Sequence, residues 1–116
     1  MSDQILNLPE FLERVQNDNE LLLELLDIYI EDFQLKRPLM ADAVSNKDSE
    51  ELRSLAHSLK GASGNISAKI LQGIFTSIEE NSKQNNIEGM EETFKELDKQ
   101  FADLLTRIDE IRKELG

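Results

Sequence analysis

A single histidine, His57, stands in this chain of 116 residues, which has no cysteine. Small residues follow it closely, in the run Ser58-Leu59-Lys60-Gly61-Ala62-Ser63-Gly64-Asn65. At about 100° per residue a helix through this segment has two faces. Leu52, Leu55, Ala56, Leu59 and Ser63 fall together, with Ile66 close by, and form the predicted buried stripe. His57, Lys60, Gly61 and Gly64 follow the i, i+3, i+4, i+7 pattern on the outer side. His57 is therefore expected to point at solvent, with a lysine one turn on and two glycines leaving the adjoining surface bare. Glycine inside a helix costs about 1 kcal/mol relative to alanine. Gly61 and Gly64 either mark a frayed helix end or clear the surface for something that approaches the imidazole closely.

A lone imidazole can be structural, a metal ligand, a general base or a nucleophile. A structural histidine belongs on the apolar stripe, and His57 lies opposite it. A metal site needs companion ligands, yet there is no Cys, no second His and no carboxylate run at calcium-loop spacing. A hydrolytic base needs a pocket, a nucleophile and an oxyanion site, whereas Ser54 and Ser58 project to a different side. Nucleophilic chemistry remains. Imidazole has an unperturbed pKa of about 6.5 and is largely neutral at pH 7, so one ring nitrogen keeps its lone pair. Such a nitrogen can take a phosphoryl group and surrender it again, because the N–P bond is labile. Transfer needs in-line access and neutralisation of the equatorial oxygens, which the ammonium of Lys60 can supply. The plain alternative for Lys60 is a solvated surface lysine.

His57-Ser58-Leu59-Lys60-Gly61-Ala62-Ser63-Gly64 resembles the signature of histidine-containing phosphotransfer (HPt) domains of multistep phosphorelays. The likeness runs from about Phe11 to Leu115, as long amphipathic helices with the histidine in the middle one. Where that family commonly carries a Gly-containing pair just after the motif, this chain has Ser67-Ala68. The resemblance implies that His57 is the phosphoacceptor and that Lys60 stabilises phosphoryl charge. The implied partners are response-regulator receiver domains and hybrid sensor histidine kinases. The receiver would bring the Mg²⁺ and the acidic pocket, so this chain would need no cofactor and no metal of its own. Receiver docking would use a mostly apolar patch around the histidine, with Gly61 and Gly64 as its bare floor and Arg53 beside it. Many HPt domains also place a Gln or Glu of the following helix near the histidine, and Glu79 is the corresponding candidate here. Its plain alternative is a solvated carboxylate at a helix end. The chain carries no Walker-type phosphate loop and no kinase glycine loop, which fits a phosphocarrier without autokinase activity.

The formal net charge of −11 argues against nucleic acid, which requires clustered Lys and Arg, and against anionic membrane surfaces. Arg53, Lys60 and Lys69 form a predicted basic spot near His57. No run approaches the roughly 18 apolar residues of a membrane span, and the N-terminus lacks a secretory pattern. A single cytoplasmic domain spanning residues 1–116 is expected, with residues 1–7 as a loose leader.

The expected fold is all-α: an antiparallel four-helix bundle with a short extra N-terminal helix. Pro9 opens the short helix, with Phe11, Leu12 and Val15 as its apolar contacts. Asn17-Asp18-Asn19 breaks it and caps the next helix, which runs from about Asn19 to Ser45 and should kink at Pro38. Its buried stripe is Leu22, Leu25, Leu26, Tyr29, Phe33, Met40 and Val44. Asp48, with Glu51 three residues on, opens the His57 helix as a capping box. That helix ends near Gly64-Asn65, and Ser67 is the expected cap of a fourth helix reaching Gln84. Ile70, Leu71, Ile74, Phe75 and Ile78 face inward there. The last helix carries Ile87, Met90, Phe94, Leu97, Phe101, Leu104, Ile108, Ile111 and Leu115, with expected surface pairs Glu91–Lys95, Asp103–Arg107 and Asp109–Lys113. Its heptads also suit a coiled-coil dimer, but the other helices each need an apolar partner, and a closed monomeric bundle satisfies them all. Besides the phosphocarrier, two readings stay open: a non-catalytic acidic helical adaptor that binds partner proteins, and a degenerate HPt domain that docks receivers without accepting phosphate.

Overall fold

The computed structural model describes residues 5–116. Its helices are α1 (Leu8–Arg14), α2 (Asn19–Ser45), α3 (Ser49–Asn65), α4 (Lys69–Lys83) and α5 (Glu91–Leu115). No strand occurs among the described residues. Side-chain ties give the directions. Tyr29 meets Ser63 and Lys36 meets Ser58, so α2 and α3 are antiparallel. Lys60 meets Glu79 while Gly64 lies against Gln72, so α3 and α4 are antiparallel. Arg112 meets Asp27 and Arg37 meets Asp98, which sets α5 antiparallel to α2.

Short polar side chains start three of the helices. Asn7, Asp18 and Asp48 accept the backbone N–H of Glu10, Leu21 and Glu51 at 3.1, 3.0 and 3.1 Å, each satisfying a donor that has no partner in the first turn. The expected α3 stripe is buried as a unit: Leu52, Leu55, Ala56, Leu59, Ser63 and Ile66. It packs on Leu22, Leu26, Tyr29, Phe33 and Met40 of α2, Leu71, Phe75 and Ile78 of α4, and Leu97, Leu104, Ile108 and Ile111 of α5 in one core. Leu25, Val44, Ile70 and Ile74 are only partly buried, at the margins of that core.

Four local expectations are corrected. Residues 5–7 are not a loose leader: Ile5 is 6% and Leu6 0% exposed, and the Asn7 N–H donates to the Ser67 carbonyl at 3.0 Å; positions 1–4 lie outside the described residues. Two apolar side chains are too few to show periodicity, yet enough to anchor the segment. Ser67 does not cap α4. Ala68 holds that position without a side-chain cap, while Ser67 takes φ +61° in the turn and donates its Oγ proton to Glu10 at 3.0 Å. Ile87 and Met90 are buried but precede α5, because Gly89 (φ +73°) breaks the helical run between them. On the α5 surface Asp109–Lys113 forms at 3.3 Å, whereas Arg107 turns to Glu110 and Glu114. Helix α2 continues through Pro38 to Ser45.

Candidate functional site

The α3 wheel that buries Leu55, Ala56 and Leu59 leaves His57 on the outer surface, its side chain 65% exposed. Antiparallel packing of α4 then brings Glu79 under it. Glu79 is the one carboxylate among the described buried residues, its side chain 4% exposed. One of its oxygens, Oε2, lies 2.8 Å from Nδ1 of His57, and the other, Oε1, lies 2.6 Å from Nζ of Lys60. Lys83, one turn further along α4, stands 3.9 Å from Oε2.

These distances assign protons. The hydrogen bond from Lys60 holds the Glu79 carboxyl below its ordinary range, against the upward push of burial and with help from His57. An ionised carboxylate only accepts hydrogen bonds. Nδ1 of His57 therefore carries the proton and donates, and in neutral imidazole this leaves the lone pair on Nε2. The ring is clamped through one nitrogen and presents the other, as a nucleophile requires.

A family model of the Hpt domain matches residues 24–112. The chain belongs to the Hpt domain family. Comparisons with curated proteins and with solved structures give no match. Hpt domains act in phosphotransfer through a phosphohistidine in two-component phosphorelays, where they meet receiver domains and histidine kinases. The matched stretch takes in His57, Lys60 and Glu79 and leaves out α1.

Within this Hpt domain the other predicted site residues separate. Gly61 is exposed, and a Cβ built on it meets nothing within 4 Å, so the surface one turn from His57 is open. Gly64 differs: a Cβ there would stand 2.7 Å from the amide nitrogen of Gln72, so its bareness accommodates an α4 side chain. Arg53, one turn before His57 on α3, pairs with Glu50 at 2.5 Å, and the charge of Glu79 also favours its protonated form. The expected basic spot is thereby corrected. Each of its cations has its own carboxylate: Arg53 with Glu50, Lys60 with Glu79, and Lys69 with Glu10 at 2.9 Å. Nearest neighbours in sequence neutralise Arg53, while tertiary packing neutralises the two lysines.

The flank toward α2 is set by a contact between helices that no local sequence pattern expresses. Lys36 donates to Ser58 Oγ at 2.6 Å and pairs with Asp32 at 2.9 Å. Beside it a depression of about 130 Å³ opens between the helices, lined by Leu25, Ile28, Asp32, Ala62 and Asn65 among others. Ile28 and Leu35 are 55% and 67% exposed. Their seven-residue spacing, unexplained by the core, was the available signal. Among the described residues no cluster of His, Asp and Glu is arranged to hold a metal ion. No described helix is long and apolar enough to cross a membrane.

Proposed function

We propose that this Hpt domain carries a phosphoryl group on Nε2 of His57, taking it from a receiver phospho-aspartate and giving it to the aspartate of another receiver. The observation that carries this reading is the ionised, buried Glu79, which ties down Nδ1–H and leaves Nε2 exposed. In the forward step the Nε2 lone pair forms the N–P bond while the acyl-phosphate P–O bond breaks, its electrons going to the receiver's aspartate. The proton stays on Nδ1, so the phosphorylated ring is cationic and Glu79 balances it at hydrogen-bond distance. With that balance in place, Lys60 is released from Oε1 to neutralise the equatorial phosphoryl oxygens. The return step reverses each movement.

The receiver would dock on the surface that Gly61 leaves open and on the apolar stripe of α2, where Leu21, Ile28, Leu35 and Leu39 are exposed. Such a stripe has no partner within the bundle and suits a transient protein contact. Mg²⁺ belongs to the receiver in this reading, and the domain works as a cytoplasmic monomer without a cofactor.

The test is transfer from a phosphorylated receiver to wild type and to His57→Gln, followed by intact mass and acid lability. Wild type should gain one acid-labile, alkali-stable phosphoryl group and His57→Gln none. No gain by folded wild type with several receivers would favour the acidic adaptor instead.

A further inference from the structure

Helix α4 has a second face. Ile70 lies nine residues before Glu79 and Gly73 six, which places them about 180° and 120° around the helix from the carboxylate that holds His57. On that side α4 and α5 border an open groove of about 450 Å³. Partly buried Ile70 and Ile74 form its floor, and exposed Gly73 lies between them. Thr93 closes the far wall, and Glu92 and Glu96, one turn apart on α5, line the rim.

Gly73 has no structural reason of its own. It sits inside a helix, where glycine is among the poorest formers, and a Cβ built on it meets nothing within 4 Å. Unlike Gly64, it makes room for no side chain of this chain. The rim charges are also unused. Glu92 has no ion-pair or side-chain hydrogen-bond partner among the described residues, and Glu96 accepts only from Gln100, at 2.7 Å. An apolar floor stripped of a side chain, under two uncompensated carboxylates, is complementary to an apolar stripe flanked by Lys or Arg.

We infer that this α4–α5 groove is a second docking surface, which accepts a helical protein segment with an apolar stripe bordered by basic side chains. It faces away from His57, so its occupant stays bound while the histidine face is engaged elsewhere. This inference does not depend on the phosphocarrier reading.

The probe is a synthetic helical peptide of leucine and lysine about five turns long, with leucines at i, i+3, i+4 and i+7. It is titrated into isotope-labelled protein and followed by amide chemical shifts. Saturable shifts confined to residues 70–77 and 92–96 are expected. They should weaken about tenfold or more in Gly73→Gln and in the Glu92→Lys/Glu96→Lys double variant, with both variants shown folded by circular dichroism. A peptide of the same composition in scrambled order should leave the groove unperturbed. Absence of shifts, shifts centred on α2 and α3, equal effects of the scrambled peptide, or persistence in either variant would overturn the proposal.

Discussion

Gly64 of α3 lies against the side chain of Gln72 on α4, close enough that a Cβ would stand 2.7 Å from the Gln72 amide nitrogen. Gly61, three residues earlier on the same face, has open space above it. Two glycines in one motif therefore serve different ends: one clears solvent-facing surface, and the other lets two helices share a polar side chain.

Alanine substitution should separate them. Gly61→Ala gains helix propensity with no clash and should raise unfolding free energy by about 0.5–1 kcal/mol in urea titrations. Gly64→Ala must also displace the flexible end of Gln72, so its gain should be smaller or absent. Gly61→Gln should stay folded yet lose phosphotransfer, because its side chain fills the approach to His57. Ordinary transfer rates in that variant would sink the close-approach argument.

Acid should report on Glu79. Its folded pKa lies below the ordinary 4.5, chiefly through Lys60. A carboxyl depressed in this way contributes stability above its unfolded pKa and loses it as pH falls through the folded value. Wild type should therefore exceed Glu79→Gln in stability above about pH 5, and the two should converge in more acidic solution. Parallel stability curves across the whole range would show that the ion pair contributes nothing.

Lys60→Met strands a buried carboxylate. It should cost about 1–3 kcal/mol and slow transfer as well. Adding Glu79→Leu removes the stranded charge, so the double variant should recover stability while transfer stays impaired. Recovery of both in the double variant would mean that neither Lys60 nor Glu79 is needed for transfer.

Phe11 is fully buried although α1 lies outside the family match. Phe11→Ala should cost about 3–5 kcal/mol in chemical denaturation. A loss below about 1 kcal/mol would mean that α1 packs too loosely to count as part of the core.

The helices and the face that carries His57 were legible because burial on α3 recurs cleanly at Leu52, Leu55, Ala56, Leu59 and Ser63. Asp18 and Asp48 announce their caps by residue type, whereas Asn7 stands in a stretch without periodicity that marks no helix start. Less could be read where backbone or tertiary geometry decides. Ser67 looks like a cap, yet its positive φ makes it the pivot of the α3–α4 turn, and side-chain chemistry does not reveal that angle. Glu79 was placed beside His57 only through the resemblance. Its bond to Lys60, 19 positions away, depends on how α3 and α4 are aligned. The neutralisation of Lys69 likewise required α1 to fold back with Glu10, which no local pattern expresses.

Helix α2, about 40 Å long by its residue count, nearly matches the 43 Å length of the molecule. Every described polar side-chain tie from it to α3 or α5 comes from Asp27, Tyr29, Lys36 or Arg37, all before Pro38. Proline supplies no N–H, so the Gln34 carbonyl loses its helical donor at that point. Beyond it only the apolar contacts of Met40, Ala43 and Val44 hold the helix to the core. Pro38 thus divides α2 into two differently anchored lengths: the polar-tied turns before it carry the wall beside His57, and the turns after it lean on the core through apolar contacts alone.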